Sequence, residues 1–502
     1  MACAASPVTA AVGAAWLASQ TPAWAKFQRS AQNPRRAQAE RLAQLLGDVD
    51  HAYGRSFGLE RVRTVEDLRE RLPLVDYDAL SPWVDRIADG ERGVLTTRPV
   101  TMLERTGGSS GPNKLVPYTD ALRAEFARAV ATWMVDLHRR HPALIGTRSY
   151  WSVSPVARAP EVTKSGLRVG FDDDAEYFDP VTRRAIGKLM AVPSTVARLP
   201  DIETWRRETW RALLNADDLG LISVWSPTFL LGLVAWLRAH PERLPLRVRR
   251  RVDALGLTAR ALWPRLQVVS CWTEGASVDF LPELRAFLGD VHVQGKGLLA
   301  TEGVVTVPIE GVGAVPAVDS HLIEFRELRS DRMVCTKDVE PGGRYSPVIT
   351  TSGGFWRYQL KDVVVCTGRW HQLPVLAFEG RLDRVADLVG EKISEGNARD
   401  ALIAGGFVGD FALLAPSRPA GRSPHYVAYV DGTADAAKIE ASLLTLHHYR
   451  YARDLGQLGP VEVVRLRDGR AAWERMCLAR GQRLGDLKPT ALETRPVALS
   501  AG

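Results

Sequence analysis

A loop rich in glycine and serine is the feature that most constrains the fold of this chain. Residues 104–119 read ERTGGSSGPNKLVPYT, and three glycines in this stretch allow the backbone to approach a ligand closely. Backbone N–H groups of such a loop, together with the hydroxyls of Ser109 and Ser110, can donate hydrogen bonds to an anion. The loop therefore indicates a phosphate site, although similar sequences also occur in surface loops between strands.

The position of the lysine excludes one class of phosphate site. A P-loop places its lysine directly after the last glycine and follows it with serine or threonine. In this chain Pro112 and Asn113 separate Gly111 from Lys114, and Leu115 comes next. The loop therefore does not belong to a P-loop kinase.

Length and charge favour a globular protein with a small anionic ligand. The chain has 502 residues, 46% of them hydrophobic and 25% charged, which predicts a large domain with one or two smaller ones. Its formal net charge of +7 is spread along the chain without a long basic run. This distribution, with no basic and aromatic platform, argues against a nucleic-acid partner.

The cysteines and the N-terminus predict a cytoplasmic protein. Five cysteines lie far apart without metal-ligand spacing, which indicates a reducing compartment and no structural zinc. The first basic residue is Lys26, so the N-terminus lacks the charged region of a signal peptide. The longest apolar run, Phe229–Leu237, is too short to span a bilayer. We therefore expect no membrane partner.

Periodicity predicts an α/β fold. Helical spacing covers residues 8–47 and most of 200–264, and Asp120 is a candidate N-cap for a helix over Ala121–Leu137. From Leu266 onward the pattern changes to short β-rich runs. These runs are LQVVSCW, VHVQ, HLIEFREL, VVVCT and PVLAF, with a helix at PELRAFLG between the first two. This alternation predicts a domain with a substantial sheet flanked by helices.

Past Gly380 the pattern predicts a smaller α+β unit. Residues 425–431 and 461–466 have strand character, and residues 435–455 have helical character. We place the junction near Phe378–Asp383, which gives an N-terminal domain of residues 1–378 and a C-terminal domain of residues 379–502.

Three further segments contain polar groups suited to a nucleotide. In GKGLLATEG (295–303), Thr301 can donate to phosphate and Glu302 can bind Mg²⁺, although a surface turn would have the same sequence. In TSGGFWRYQLKDVV (351–364), Asp362 can accept the hydroxyls of a ribose.

The alternative for Asp362 is an ion pair with Arg357 or Lys361. The third segment, FEGRLDRVADLVGEKI (378–393), contains Arg381 at the domain junction and Lys392 after it. The alternative for Lys392 is a solvated surface cation.

In this order and at these separations, the four segments resemble the acyl-adenylate-forming enzymes. The resemblance is closest to the Gretchen Hagen family of acyl acid–amido synthetases, in its bacterial-type form, and covers nearly the whole chain. The segments that support it are AYGRSFGLERVRTVEDLRERLPLVDYDAL (52–80), RTGGSSGPNKLVPYT (105–119), WSPTFLL (225–231), LWPRLQVVSCWTEGAS (262–277), GLLATEG (297–303), LIEFRE (322–327), YQLKDVV (358–364) and RGQRLGDLKP (480–489).

The resemblance implies an ATP- and Mg²⁺-dependent ligase that converts a carboxylic acid to acyl-AMP and then to an amide with an amine or amino acid. It also implies a large N-terminal adenylation domain and a smaller mobile C-terminal domain. Glu302 and Lys392 would be catalytic, with Glu302 as the metal ligand. The residues that would bind ATP or AMP are Thr106, Gly108, Ser109, Ser110, Gly111, Thr301, Asp362 and Arg381.

The chain departs from the family pattern at three places. Gly107 replaces a hydroxyl residue of the loop, and Lys361 replaces the glycine before the ribose-binding aspartate. Leu298 and Leu299 replace an aromatic residue that would stack on adenine. These departures put nucleotide affinity in question and leave the fold prediction unchanged.

The acid pocket is expected in the helical region of residues 120–240, with Trp133, Trp225 and Phe229 as candidates, although core packing would also explain these aromatics. We expect a monomer with small-molecule partners. Two alternatives stay open: a ligase that forms a thioester with coenzyme A or a carrier protein, and an inactive relative that binds a nucleotide or acyl group.

Overall fold

The structure, a computed structural model, describes residues 7–105, 114–152, 161–170, 187–199, 201–482 and 484–499. The chain forms two compact units. The larger unit contains Met1–Leu360 and Val364–Phe378, and the smaller contains Lys361–Val363 and Glu379–Gly502. The mixed α/β class and the division into a large N-terminal and a small C-terminal part are as predicted.

Helices surround the sheets of the larger unit. They include α1 (Pro7–Gln32), α2 (Pro34–Leu46), α3 (Ala52–Phe57), α4 (Val65–Arg71), α5 (Tyr77–Ala88), α6 (Asp120–Arg140), α7 (Ile202–Leu214), α8 (Pro227–Ala239), α9 (Leu246–Leu255), α10 (Ala259–Leu262) and α11 (Leu281–Leu288). The helical stretch predicted for residues 8–47 is two helices, with Pro34 in the first turn of the second, where a missing backbone N–H breaks no helical hydrogen bond. Pro22, by contrast, lies inside α1. The Asn33 side chain caps the second helix by accepting from the Arg36 N–H.

A parallel sheet of four strands lies in the larger unit. Its strands are β3 (Arg148–Trp151), β6 (Leu219–Ser223), β7 (Val268–Cys271) and β8 (His292–Gly295), in that order across the sheet. A second sheet has the order β2 (Leu115–Tyr118), β1 (Met102–Arg105), β5 (Arg168–Val169) and β4 (Glu161–Val162). The carboxyl ends of the parallel strands meet at one edge, the usual place for ligands in such sheets.

The largest sheet is antiparallel. It contains, in chain order, β11 (Thr306–Ile309), β12 (Gly313–Pro316), β13 (Leu322–Glu327), β14 (Met333–Cys335), β15 (Arg344–Thr350), β16 (Tyr358–Gln359), β17 (Asp362–Trp370) and β18 (Leu373–Arg381). A separate hairpin is formed by β9 (Leu299–Ala300) and β10 (Gly303–Val304). The predicted strands after Leu266 are therefore confirmed.

The smaller unit combines short sheets with helices. Its elements include β19 (Val385–Ala386), β20 (Ile393–Ser394), α12 (Glu395–Ala404), β21 (Ala412–Ser417), β22 (His425–Val430), α13 (Ala436–Leu443), α14 (His447–Asp454), β23 (Glu462–Arg465) and α15 (Gly469–Ala479). The helix predicted for residues 435–455 is two helices with a break after Leu443. The predicted strands over residues 425–431 and 461–466 are present.

One local prediction was wrong. The N-cap of α6 is Thr119, whose hydroxyl accepts from the Leu122 N–H at 3.1 Å, and Asp120 is the first helical residue. The mostly helical character predicted for residues 200–264 is confirmed, and the buried strand β6 lies between two of these helices, where a short apolar run has no periodicity that separates a strand from a helix. Among the described residues, no helix has the length and apolar character needed to cross a membrane.

Candidate active site

The Thr–Glu pair forms the turn of a β-hairpin. Thr301 and Glu302 connect β9 to β10, and Ala300 pairs with Gly303 across the turn. A Cβ atom at Gly303 would lie 3.1 Å from Ile349 Cδ1 and 3.2 Å from His321 Nε2, so this position favours glycine. Gly303 is the first residue of β10, and Thr301 and Glu302 themselves make the turn.

Two tyrosine hydroxyls orient this turn. The Tyr118 hydroxyl donates to the Thr301 carbonyl oxygen at 2.6 Å, and the Tyr358 hydroxyl donates to Glu302 Oε1 at 3.2 Å. Glu302 is only 8% exposed. A carboxylate that is buried and hydrogen-bonded in this way has a fixed direction, which is the property that a metal ligand requires.

The strands on either side of the glycine loop pair with each other, with Arg105 opposite Leu115. The Leu115 N–H donates to the Tyr77 hydroxyl at 2.7 Å, and Lys114 Nζ lies 5.6 Å from the centre of the Tyr77 ring. Tyr118, on the strand that follows the loop, is the residue that contacts Thr301. The predicted phosphate-binding residues lie outside the described residues: Thr106, Gly108, Ser109, Ser110 and Gly111.

A buried polar network supports the hairpin. His321 Nε2 accepts from the Val304 N–H at 3.0 Å, while its Nδ1 lies 2.9 Å from Glu125 Oε2. Glu125 also pairs with Arg41, whose pKa burial lowers to about 10. Burial lowers the pKa of His321 as well, and a ring nitrogen that accepts a hydrogen bond carries no proton. His321 is therefore neutral and positions β10.

A buried lysine that the sequence reasoning did not single out lies among three tryptophans. Lys296 is 3% exposed, and its Nζ donates to Ser223 Oγ at 2.7 Å. The ammonium lies 4.6 Å from the Trp225 ring centre, 5.2 Å from Trp133 and 5.7 Å from Trp151. These distances are within the range of favourable cation–π contacts. We call these four residues the lysine–tryptophan cluster.

This cluster lies at the carboxyl edge of the parallel sheet. Trp151 ends β3, Trp225 follows β6 closely, and Lys296 follows β8. Two predicted acid-pocket residues, Trp133 and Trp225, therefore come together here. The signal that could have identified Lys296 is its rarity, because the chain has only 10 lysines. The third candidate, Phe229, packs against Trp205 with ring centres 5.8 Å apart.

In the smaller unit, Asp362 is buried and forms an ion pair with Arg381, whose Nη1 lies 3.0 Å from Asp362 Oδ1. Arg381 also pairs with Asp383 at 2.8 Å. Burial raises the pKa of the Asp362 carboxyl, and the Arg381 charge opposes that rise. Asp362 therefore forms an ion pair, as the alternative to ribose binding predicted, but its partner is Arg381. Arg357, one of the two expected partners, lies 3.1 Å from Glu324 instead.

The residue before Asp362 explains one departure from the family pattern. Lys361 has a φ of 64°, a left-handed conformation that glycine adopts without steric cost. Its carbonyl oxygen accepts from the Leu382 N–H at 2.6 Å. Lys361, which the resemblance places where a glycine is expected, therefore has a backbone conformation that favours glycine.

Lys392 lies on a strained turn. Its φ is 51°, its side chain is exposed, and both of its chain neighbours are buried. Glu391 fixes the turn by accepting from the N–H groups of Leu388 and Val389 at 2.7 and 2.8 Å, and from the Tyr426 hydroxyl. Non-glycine residues in this conformation are concentrated at functional sites. The predicted catalytic lysine is therefore exposed to solvent on a turn whose neighbouring residues are buried and hydrogen-bonded.

Comparison with known proteins gives family matches along most of the chain. Residues 23–252 match the GH3 family N-terminal domain, residues 315–381 match the GH3 family central domain, and residues 397–496 match the GH3 family C-terminal domain.

Similar individual proteins are amido synthetases. A probable indole-3-acetic acid-amido synthetase GH3.12 of Oryza sativa subsp. japonica is 25% identical over 448 residues, covering 74% of this chain and 73% of that protein. A jasmonoyl–L-amino acid synthetase GH3.5 of the same organism is 24% identical over 436 residues, covering 74% of each chain. The solved structure of AtGH3.15 acyl acid amido synthetase in complex with 2,4-DB has a TM-score of 0.80 at 18% identity, covering 95% of this chain and 94% of that one. This likeness shows a common fold.

Proposed function

Because the chain belongs to the GH3 family of acyl acid–amido synthetases, we propose that it is a ligase that uses ATP to join a carboxylic acid to an amine. The main support from geometry is the hydrogen bond from Tyr118 to Thr301. It connects the strand after the glycine loop to the Thr–Glu turn, so that two segments that the reaction needs together are adjacent.

The reaction has two steps. An oxygen of the acid's carboxylate attacks the α-phosphorus of ATP, and pyrophosphate leaves to give acyl-AMP. The nitrogen of an amine, such as that of an amino acid, then attacks the acyl carbon, loses a proton and expels AMP. The acid must be activated because an amine that attacked a free carboxylate would have to expel oxide, which is a very poor leaving group. Negative charge on the phosphate oxygens changes during the first step, so positioned donors and cations lower its barrier.

The residues divide these tasks. Glu302 provides a hard, oriented oxygen ligand of the kind that Mg²⁺ prefers, and the ion would neutralise phosphate charge when bound. Thr301 and the glycine loop would donate to phosphate and adenylate oxygens, and the Lys392 ammonium would stabilise the transferring phosphate. Asp362, with Arg381 beside it, would bind the ribose.

The lysine–tryptophan cluster is the proposed acid pocket. Aromatic walls at the carboxyl edge of a parallel sheet suit an apolar acyl group. Trp133 and Trp225 line it in this proposal. Phe229, which packs against Trp205, is the third residue proposed for this pocket.

Removing one wall of this pocket should affect the acid and leave ATP binding unchanged. We expect Trp225→Ala to raise the KM for the acid about tenfold, roughly 1.4 kcal/mol of binding, because the ring face is lost. The control is Trp236→Ala on α8, a similarly half-buried tryptophan whose Nε1 donates to Glu203 at 2.9 Å. Equal KM values for the acid in both variants would refute the pocket assignment.

A ribose role for Asp362 predicts a specific loss. In Asp362→Asn, we expect ATP to bind roughly 10- to 100-fold more weakly, because hydrogen bonds to a charged acceptor contribute about 1.5–3 kcal/mol. Binding of 2′,3′-dideoxy-ATP should be nearly the same in both proteins. Asp383→Asn removes the other carboxylate that pairs with Arg381 and serves as the control. If both variants weaken ATP and its dideoxy analogue equally, Asp362 acts only through the ion pair.

The overall proposal is tested by product identity. The protein is incubated with ATP, Mg²⁺ and a panel of carboxylic acids, with either a mixture of amino acids or coenzyme A. Mass spectrometry should detect AMP and an acid–amine amide. A thioester without any amide would identify a thioester ligase, and ATP binding without acid-dependent pyrophosphate exchange for every acid would identify an inactive relative.

A further inference from the structure

Two imidazoles and one carboxylate converge in the larger unit, at a place that the proposed reaction does not use. His141 follows the end of α6, His292 is the first residue of β8, and Glu310 lies in the turn between β11 and β12. Nε2 of His292 lies 3.0 Å from Glu310 Oε2, and Nε2 of His141 lies 3.7 Å from the same oxygen. The two rings are stacked with their centres 5.0 Å apart.

The three ligand groups are close enough to one another to share one ion. One imidazole is within hydrogen-bond distance of the carboxylate, but the 3.7 Å separation of the other is too long. The three ligand atoms all lie within 4.8 Å of one another. A tetrahedral Zn²⁺ ion with ligands at about 2.0–2.2 Å requires them roughly 3.4 Å apart, so only small side-chain movements are needed.

The carboxylate is oriented by a second layer of contacts. The Gln294 side-chain amide donates to Glu310 Oε1, which directs Oε2 toward the histidines. Gln294 is fixed in turn by the Trp133 indole N–H, which donates to its Oε1 at 2.7 Å. The Glu310 N–H donates to Asp136 Oδ2 at 2.7 Å. Such outer contacts, which set the direction of each ligand, are typical of protein metal sites.

Charge and access also suit a cation. Glu310 is 8% exposed, and the buried Asp136 carboxyl that accepts from its N–H adds a second acidic group beside it. His292 is 43% exposed, so an ion can reach the site from solvent.

We propose that His141, His292 and Glu310 bind one divalent transition-metal ion, Zn²⁺ in the first instance, with water as the fourth ligand. Imidazole nitrogen with a carboxylate oxygen selects this class over Mg²⁺, which prefers oxygen ligands alone. The expectation of no structural zinc rested on cysteine spacing, whereas these ligands are two histidines and a glutamate spread over residues 141–310.

The role of the ion is structural. A bound ion would connect α6, the start of β8 and the β11–β12 turn. His292 begins β8 and Lys296 follows its end, so four residues of extended chain, roughly 13 Å, separate His292 from the lysine of the proposed acid pocket. Gln294 nevertheless connects Glu310 to Trp133, so the site lies one residue behind a wall of that pocket without taking part in the proposed reaction.

The test is zinc binding by the full chain without an affinity tag. Isothermal titration with ZnCl₂ should show one equivalent bound, and Zn²⁺ should raise the unfolding temperature of the apoprotein, since a ligand that binds only the folded state stabilises it. In His292→Ala and Glu310→Gln the affinity should fall by more than about tenfold, because losing even an outer contact costs about 10- to 100-fold. Excess Mg²⁺ should not displace the Zn²⁺.

The matched control is the double variant His447→Ala/His448→Ala. These adjacent exposed histidines on α14 have ring centres 5.2 Å apart and lie outside the proposed site, so their removal should leave the stoichiometry and affinity unchanged. Circular dichroism verifies folding, and His141→Gln is the second ligand variant if His292→Ala does not fold. The proposal is wrong if wild type binds Zn²⁺ no more tightly than the ligand variants, if the control loses the bound equivalent, or if Mg²⁺ competes.

Discussion

Replacing Lys392 with alanine should reduce acyl-AMP formation by at least about a hundredfold, since the loss of one positioned charge-stabilising donor costs roughly 10²–10³ in rate. The ammonium is proposed to stabilise charge on the transferring phosphate, and alanine provides no substitute. Folding should be unaffected, because the side chain is exposed and the turn is fixed by the contacts of Glu391 rather than by Lys392. The measurement is acid-dependent exchange between pyrophosphate and ATP.

Two controls separate this role from a general loss of positive charge. Lys438→Ala removes another exposed lysine of the smaller unit and should leave the exchange rate unchanged. Amide formation from supplied acyl-AMP should persist in Lys392→Ala, because the second step depends less on phosphate neutralisation. Normal acyl-AMP formation in this variant would exclude the assignment. Loss of both steps would show that the role of Lys392 is not limited to adenylation.

The order of elements was largely predictable from local sequence. Strands after Leu266 follow short apolar runs between glycines, and these were confirmed. The details that were not predicted were also local in origin. One periodic stretch forms two helices, the second of which begins at Pro34, and β6 has too few residues for its period to be recognised. Thr119 and Asp120 are both good capping residues, and only the hydrogen bond that the Thr119 hydroxyl accepts shows which of them is the N-cap of α6.

The parts of the candidate site whose residues are neighbours in the chain were the most predictable, although Trp133 and Trp225 were also predicted and come together beside Lys296. The Thr301–Glu302 turn and the exposed Lys392 follow from short segments. The surroundings of Lys296 come from separate strands and a helix, so its contacts with Trp133, Trp151 and Trp225 are a property of the folded sheet. The same holds for Asp362, where the sequence suggested near neighbours and the structure pairs it with Arg381.

Glu302→Gln should produce the other large effect, a fall of about a hundredfold in acyl-AMP formation at low Mg²⁺. The amide keeps the size of the side chain and its ability to accept from Tyr358, but it loses the negative charge that binds a hard cation. The apparent affinity for Mg²⁺ should fall, so that high Mg²⁺ restores part of the rate. Rates of pyrophosphate exchange measured across a range of Mg²⁺ concentrations test this expectation.

A matched variant separates metal binding from support of the hairpin. Tyr358→Phe removes the hydrogen bond to Glu302 at 3.2 Å and leaves the carboxylate in place. If Glu302 binds the metal, Tyr358→Phe should have a small effect on rate and retain the Mg²⁺ dependence of wild type. If Glu302 only supports the turn, the two variants should have similar rates and stabilities, and both should retain the Mg²⁺ dependence of wild type. The charge on Glu302, rather than its place in the hairpin, is thus the property that decides between a metal ligand and a structural residue.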